Sequence, residues 1–451
     1  MTLDELQTAY EAGEIDTVLV AAPDMQGRLV GKRTHAAHFL HTGYQETHCC
    51  NYLLATDMEM QTVEGYAATS WAKGYGDYVM KPDLSTLRPI PWLPHTALVL
   101  CDLIDHHTHE EVAISPRAIL KRQVARARDM GYVPMAATEL EFFIFEQSYE
   151  TLRDEGAESL TPISSYNEDY HLFQTSKEEP LMRTLRNGLY GAGIPVESTK
   201  GEAEAGQEEI NIRYADMLTT ADFHVITKQA AKEIAYSLGK SVTFMAKYHD
   251  QRAGSSSHVH QSLFTSDGEP AFLDKTAEYG MSEVMRQFMA GQLVYAGEIT
   301  ALLAPYVNSY KRFCTGMFAP TKAVWSLDNR TAGFRVCGDG TKAVRIECRI
   351  GGADLNPYLA CAGLLAAGLA GIEQKMILEA ETRGDTYRDN QAREIPKNLR
   401  DATDRLERSE MLRSAFGDEV VEHYTRAARW EIEEQDRVVT NWERTRLLER
   451  G

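Results

Sequence analysis

Four segments of the chain alternate apolar and polar residues with a period of two, which predicts strands that each have one polar face. In the first, ATELEFFIF at residues 137–145, Glu139 and Glu141 share a face opposite Leu140 and Phe142. The same alternation appears in three further segments, residues 201–214, 255–264 and 343–352. Their polar faces are predicted to present Glu209, Asn211 and Arg213; His258, His260 and Ser262; and Arg345, Glu347 and Arg349.

Periodicity and turn residues predict further helices and strands elsewhere in the chain. The predicted helices are residues 3–12, 117–130 and 358–372, and the predicted strands are residues 15–40 and 96–104. Ser115 followed by Pro116 is typical of a helix start, and a domain boundary is expected near residue 113. The run at 358–372 is apolar and rich in Ala and Gly, which predicts a buried helix with close neighbours.

The 451 residues include 47 Lys and Arg against 66 Asp and Glu, a net charge of −19 at pH 7. This acidity argues against nucleic acid and against an anionic membrane as partners, because both bind basic surfaces. The N-terminus does not resemble a signal peptide, and the longest apolar run is too short to span a membrane. Seven cysteines without a C-x-x-C pair indicate neither a disulfide framework nor a zinc site, so we expect a cytoplasmic protein.

The four polar faces contain residues that suit metal and phosphate. Taken singly, each face is also typical of an amphipathic strand exposed to water. However, carboxylates two residues apart on a strand repel each other, and burying them is costly unless a cation compensates. Glu with His suits Mg²⁺ or Mn²⁺, and nearby arginines suit phosphate or carboxylate groups. Together these residue types indicate phosphoryl transfer from a nucleotide.

Six stretches of the sequence, in order and at compatible spacing, make the chain resemble the glutamine synthetase family over nearly its whole length. They are TELEFF, GEAEAGQEEINIRYAD, GSSSHVHQSL, NSYKR, DNRTAGFR and RIECRIGGADLNPYL. The resemblance implies an α+β fold, with an N-terminal β-grasp domain at 1–113 and a catalytic domain on a curved antiparallel sheet at 114–451. It also implies a homo-oligomer, commonly a dodecamer of two stacked hexameric rings, with active sites between subunits.

The resemblance assigns site residues position by position. It implies one cation beside the glutamate and ammonium sites, held by Glu141, Glu202 and Glu209. It implies another that bridges the nucleotide phosphates, held by Glu139, His258 and Glu347. The expected ATP and phosphate contacts are Ser262, His260, Arg330, Arg335, Lys342 and Arg345. The expected glutamate contacts are Gly254, Arg312 and Arg349.

The implied reaction has two steps and uses ATP with two or three Mg²⁺ or Mn²⁺ ions per site. ATP phosphorylates the γ-carboxylate of glutamate, and an amine then displaces phosphate to form an amide. Arg312, Arg330 and Glu64 are the residues expected to act in catalysis.

One position departs from the family pattern in a way that bears on the acceptor. Ammonia-using members carry Glu where this chain has Phe318, in GMFAP. Phenylalanine removes a negative charge and adds an aromatic wall. The stretch TVEGYAATSW at 62–71 also lacks the Asp-Gly-Ser-Ser of ammonia-using members, although Glu64 lies near the equivalent place, and Ala253 replaces an expected Asn.

These departures predict an organic amine as acceptor, with Phe318 and Glu64 in the amine pocket. Polyamines, ethanolamine, alkylamines and anilines remain open, with polyamines or small alkylamines favoured. The alternatives are a true ammonia-dependent glutamine synthetase and a catalytically inactive homologue. The second is disfavoured because all six metal positions hold the expected residue type.

Overall fold

A computed structural model describes residues 1–156, 160–389 and 391–451, and it places the described strands in two sheets. The first helix, α1 (Leu3–Glu11), starts with a capping box in which Thr2 and Glu5 satisfy each other's backbone amides. The six strands of the first sheet are β1 (Thr17–Pro23), β2 (Leu29–His35), β3 (Thr47–Cys50), β4 (Asp77–Pro82), β5 (Arg88–Pro89) and β6 (Thr96–Asp105).

The first sheet has the order β2-β1-β6-β4-β3, with β5 paired to β6. Strands β1 and β6 are parallel, and the other pairs are antiparallel. A short helix, α2 (Ala36–His38), follows β2. The predicted strand at 96–104 is confirmed, and the strand-like segment at 15–40 contains β1 and β2, but its last five residues, 36–40, are helical. The predicted boundary at residue 113 lies between β6 and α3 (Pro116–Asp129), and the division into domains there stays a prediction.

The second sheet has nine described strands in the order β13-β14-β15-β12-β7-β9-β8, with β10 and β11 also paired to β7. All pairs are antiparallel except β13 with β14. The strands are β7 (Tyr132–Phe145), β8 (Val196–Gly201), β9 (Gln207–Ile212), β10 (Ala215–Asp216), β11 (Ser241–Thr243), β12 (Ser257–Thr265), β13 (Trp325–Leu327), β14 (Phe334–Cys337) and β15 (Arg345–Cys348). The α+β class expected from the resemblance is confirmed.

Helices account for most of the remaining described structure. They are α4 (Tyr149–Glu155), α5 (Leu172–Thr175), α6 (Glu179–Gly191), α7 (Met217–Ser237), α8 (Glu283–Leu303), α9 (Pro357–Glu373), α10 (Leu399–Arg408), α11 (Glu410–Phe416), α12 (Asp418–Arg437) and α13 (Asn441–Leu447). Within the described ranges, we find no helix with the length and apolar character that crossing a bilayer requires.

Helix α9 is the buried helix predicted from the Ala- and Gly-rich run. It packs closely on α8, because a Cβ on Gly291 would lie 2.2 Å from the carbonyl oxygen of Ala367. A Cβ on Gly368 would lie 2.2 Å from the ring of Phe288. The small residues therefore allow two helix backbones to approach more closely than larger side chains would permit.

A buried arginine connects the first sheet to the helices around the second. Arg117 on α3 donates to Asp102 at 2.6 Å, to Asp83 at 2.7 Å and to Asp222 on α7 at 3.0 and 3.1 Å. Asp222 also accepts from the hydroxyl of Tyr358 at 2.7 Å. This network holds β6, α3, α7 and α9 together behind the second sheet.

Candidate active site

The register of the second sheet brings the predicted polar residues together from separate strands. His258 pairs with Glu139, Glu141 pairs with Glu209, and His260 pairs with Glu347. Directly opposed residues in antiparallel strands point to the same face, so these side chains share one surface. The predicted polar face of 201–214 is correct for Glu209 and Asn211, but Arg213 lies beyond β9, which ends at Ile212.

The first acidic cluster consists of Glu141, Glu202 and Glu209, whose nearest carboxylate oxygens all lie within 4.8 Å of one another. Glu141 accepts from the Ser256 hydroxyl at 2.5 Å and from the Ser256 amide at 2.7 Å. Burial and the neighbouring carboxylate of Glu202 raise the pKa of Glu141 to about 7. Burial and the surrounding carboxylates raise the pKa of Glu209 to about 9. The cluster is thus short of positive charge.

The second cluster contains Glu139, His260 and Glu347, which also converge within 4.8 Å. The prediction named His258 here, and the structure adds His260 to the donor set. Nδ1 of His258 lies 2.9 Å from Glu139 and 3.3 Å from Glu347, so both histidines adjoin the same carboxylates. Nε2 of His260 lies 2.8 Å from Glu139. Burial and Arg349 lower the pKa of His258 to about 4, so this imidazole is neutral near pH 7.

Arginines surround the second cluster. Arg335 donates to Glu347 at 2.9 Å, Arg349 also donates to Glu347, and Arg345 donates to Nδ1 of His260 at 3.0 Å. Burial alone would raise the pKa of Glu347, but Arg349 and the two histidines lower it to about 2. The carboxylate therefore stays ionised, with positive charge on the side where a phosphate would bind.

Both clusters fit a divalent cation. The first offers three carboxylates whose mutual repulsion a cation would relieve, and the second offers two carboxylates with imidazole nitrogens. Oxygen donors with a minority of imidazole are typical ligands of Mg²⁺ or Mn²⁺. The predicted ligands Glu139, Glu141, Glu202, Glu209, His258 and Glu347 all lie at this face.

The raised pKa values predict how the metal-free protein responds to pH. Glu141 and Glu209 titrate near 7 and 9 in the folded state, against 4.5 as the ordinary value. Between the ordinary pKa of 4.5 and these raised values, the folded chain binds more protons than the unfolded chain. The free energy of unfolding therefore falls as pH rises from about 5 to 9. We expect the melting temperature in EDTA to fall over this range and added Mn²⁺ to restore it. A slope that is equal in wild type and Glu209→Gln would contradict this origin.

Two cavities meet at Glu139. The outer cavity has a volume of about 550 Å³, and its polar lining includes the predicted nucleotide contacts His260, Ser262, Lys342 and Arg345. Its walls also include apolar side chains, such as those of Met135, Ile212, Tyr214 and Phe264. A cavity with apolar walls and a cationic end next to a metal cluster suits a nucleotide with its phosphates directed inward.

The inner cavity, of about 460 Å³, is lined by both clusters' carboxylates and by the predicted residues Gly254, Arg312, Arg330, Arg335 and Arg349. Arg312 is buried and donates to the carbonyls of Arg349 and Ile350 at 3.1 and 3.0 Å. Gly254 allows the chain to pass close to this arginine, since a Cβ there would lie 2.7 Å from Cγ of Arg312 and 2.6 Å from the carbonyl oxygen of Ala246. Gly254 itself is one of the residues that line the cavity.

Phe318 lines the inner cavity, and its place in an amine pocket stays a prediction. Its backbone has φ of 53°, in the left-handed region that bulky residues rarely adopt. Two hydrogen bonds hold this loop. Arg349 donates to the carbonyl of Phe318 at 3.4 Å, and the hydroxyl of Tyr387 donates to the carbonyl of Ala319 at 3.0 Å.

Glu64 lies away from these cavities within the chain. Its carbonyl accepts a hydrogen bond from Nε of Arg426 on α12 at 2.8 Å. The predicted role of Glu64 in the amine pocket therefore requires a second copy of the chain.

Sequence reasoning missed several residues at the site. Ser256, which binds Glu141, lies two residues before His258, so strand periodicity carried a signal for it. Lys200 lies two residues before Glu202 and binds its carboxylate. By contrast, Tyr387 is 69 residues beyond Phe318, and the sequence carries no local signal that would bring the two loops together.

Comparison with known proteins agrees with this geometry. Residues 113–447 match the family model of the glutamine synthetase catalytic domain. The chain is 48% identical over 449 residues to the γ-glutamylethanolamide synthetase GlnA4 of Streptomyces coelicolor, covering 99% of this chain and 96% of that protein. It is 37% identical over 442 residues to a glutamate–isopropylamine ligase of a Pseudomonas species, covering 97% and 96%.

Solved structures agree as well. GmaS without ligand superposes with a TM-score of 0.86 at 27% identity, covering 98% of this chain and 99% of that one. The complex of GmaS with ADP gives the same values. Together with the two acidic clusters, these similarities place the chain in the class of ligase enzymes. The chain belongs to the glutamine synthetase family, and the resemblance drawn from its motifs is confirmed.

Proposed function

We propose that this protein is an ATP-dependent ligase that joins the γ-carboxylate of glutamate to an organic amine through γ-glutamyl phosphate. The observation that carries the proposal is the pair of cavities that meet at Glu139 between two acidic clusters. A nucleotide and an amino acid placed in them bring a phosphoryl donor and a carboxylate to one point. The names of the two similar proteins, which make γ-glutamylethanolamide and join glutamate to isopropylamine, support the choice of acceptor.

In the first step the γ-carboxylate of glutamate attacks the γ-phosphorus of ATP, and ADP leaves. Arg312, Arg349 and the Gly254 backbone hold glutamate, while Arg330 and Arg335 neutralise charge on the transferring group. Ser262, Lys342 and Arg345 hold the nucleotide in the outer cavity.

The acidic clusters would hold divalent cations, two or three per site and either Mg²⁺ or Mn²⁺. Glu139, His258, His260 and Glu347 would bind at the phosphates, and Glu141, Glu202 and Glu209 would bind beside glutamate. When bound, the cations supply Lewis-acid neutralisation of phosphate charge.

In the second step the amine nitrogen attacks the carbonyl carbon of γ-glutamyl phosphate, phosphate leaves, and an amide forms. A protonated amine must first lose a proton, and Glu64 is the base that we assign. Glu64 is not among the residues that line the inner cavity of its own chain, so we assign this role to Glu64 of a second copy of the chain. This assignment requires a homo-oligomer with active sites between subunits, which we propose is a dodecamer of two stacked hexameric rings.

The proposed function is tested by measuring glutamate-dependent ADP formation with ammonium and with separate amines. The panel should include ethanolamine, isopropylamine, a polyamine and aniline. We expect at least one organic amine of the panel to support turnover and ammonium alone to support little. Rapid turnover with ammonium alone would instead favour a true glutamine synthetase, and no turnover with any acceptor would favour an inactive homologue.

Phe318→Glu tests the aromatic wall of the amine pocket. The new carboxylate would attract a small cation and remove apolar contact with an alkyl group. We expect kcat/KM for isopropylamine to fall about tenfold, about 1.4 kcal/mol, and ammonium use to rise. Phe318→Leu, which keeps an uncharged apolar side chain, is the matched control. Its turnover with ammonium should stay as low as that of wild type. If Phe318→Glu uses ammonium and isopropylamine in the same ratio as wild type, Phe318 does not determine the choice of acceptor.

A further inference from the structure

Lys200 places a fixed positive charge in the wall of the inner cavity. The lining of the same cavity also includes Asp169, Tyr170, Met317 and Phe318, and we call these five residues the acceptor wall. Nζ of Lys200 donates to Asp169 at 3.1 Å and also to Glu202. It lies 4.4 Å from the centroid of the Tyr170 ring. The lysine is therefore held by two carboxylates and an aromatic face, all groups that bind primary ammonium ions.

The carboxylates near this wall already have cations of their own. Lys200 pairs with both Asp169 and Glu202, and Arg252 pairs with Glu204 at 2.8 Å. Glu204 also accepts from the amide of Ala253, a lining residue of the inner cavity, at 3.3 Å. A second ammonium group on an acceptor would thus meet Lys200 beside carboxylates that are already paired.

We propose that Lys200 is a specificity-determining residue that restricts the acceptor to amines with one amino group and an uncharged remainder. The inference rests on the proposed ligase function and names the substrate class of the same site. Like charges repel strongly where water is scarce, and Lys200 is four-fifths buried, with 19% of its side chain exposed. An uncharged alkyl or hydroxyalkyl group instead packs on Tyr170, Met317 and Phe318, and a hydroxyl could bond to Lys200 or Asp169.

The test compares n-butylamine with 1,4-diaminobutane, which differ by one terminal amino group. For wild type we expect kcat/KM to favour n-butylamine at least tenfold. In Lys200→Met, which keeps the length and removes the charge, we expect this preference to fall at least tenfold. Taking the ratio of two acceptors on one enzyme cancels any general loss of metal affinity or folding.

Two further variants sharpen the test. Lys200→Arg keeps the charge and should keep the preference. Asp169→Asn removes one of the two carboxylates that offset the charge of Lys200. The preference for n-butylamine over 1,4-diaminobutane should therefore increase. A wild type that prefers the diamine, or equal ratios in wild type and Lys200→Met, would overturn the role of Lys200 while leaving the ligase intact. Absence of turnover with every amine would overturn the proposed function, and this inference with it.

Discussion

Glu209→Gln is expected to lower turnover about 1000-fold or more without destabilising the metal-free protein. Glu209 belongs to the cluster that suits a cation, and about 4 kcal/mol of lost transition-state stabilisation gives this factor. Its pKa is raised to about 9 by burial and by Glu139, Glu202 and Glu141, so ionising it in the metal-free protein is unfavourable. An amide of the same shape removes that cost.

Three measurements check this expectation: ADP formation, the melting temperature in EDTA, and the rise in melting temperature on adding Mn²⁺. We expect ADP formation to fall steeply and the melting temperature in EDTA to stay the same or rise. The rise in melting temperature on adding Mn²⁺ should become smaller, because the variant binds the cation more weakly. Glu208→Gln is the matched control, since Glu208 is a buried glutamate on the opposite face of the same strand. Activity within tenfold of wild type in Glu209→Gln would show that the first cluster is not needed for catalysis.

Glu347→Gln is expected to lower turnover as much as Glu209→Gln does. Unlike Glu209→Gln, it is also expected to destabilise the folded protein. Glu347 is fully buried and accepts from Arg335 and Arg349, and its pKa is lowered to about 2. Removing its charge leaves the buried Arg349 guanidinium without its anion. Breaking a buried ion pair in this way costs about 3 kcal/mol.

The opposite effects of the two variants on stability distinguish the clusters. Urea unfolding in EDTA should place Glu347→Gln below wild type and Glu209→Gln at or above it. Equal stability of the two variants would contradict the electrostatic difference between the two clusters. Circular dichroism before unfolding provides the control that each variant starts folded.

The alternation of polar and apolar residues was enough to predict which side chains face the site. Glu139 and Glu141 are two apart on β7, and strand geometry directs both to one surface whatever the rest of the fold does. The same holds for His258 and His260 on β12. Their meeting with Glu347 depends on strand register, which the resemblance supplied and periodicity did not.

Other features depend on contacts between distant parts of the chain. Arg213 continues the alternation in the sequence, yet β9 ends one residue earlier, because periodicity does not mark where a strand stops. Tyr387 supports the Phe318 loop through one hydrogen bond across 68 residues. Lys200 looks like an ordinary surface lysine in the sequence, and only its contacts with Asp169, Tyr170 and Glu202 reveal its position at the cavity.

The most direct test of the proposed chemistry follows isotope from glutamate into phosphate. Glutamate labelled with ¹⁸O in both oxygens of its γ-carboxylate is supplied with ATP and with either ethanolamine or ammonium. The isotopic composition of the amide product and of inorganic phosphate is then measured by mass spectrometry. We expect the γ-glutamyl amide of ethanolamine and inorganic phosphate that carries one ¹⁸O, because the carboxylate oxygen that attacks ATP leaves with the phosphate. Unlabelled phosphate would contradict the acyl-phosphate step, and glutamine formed as fast as the ethanolamide would contradict the organic acceptor.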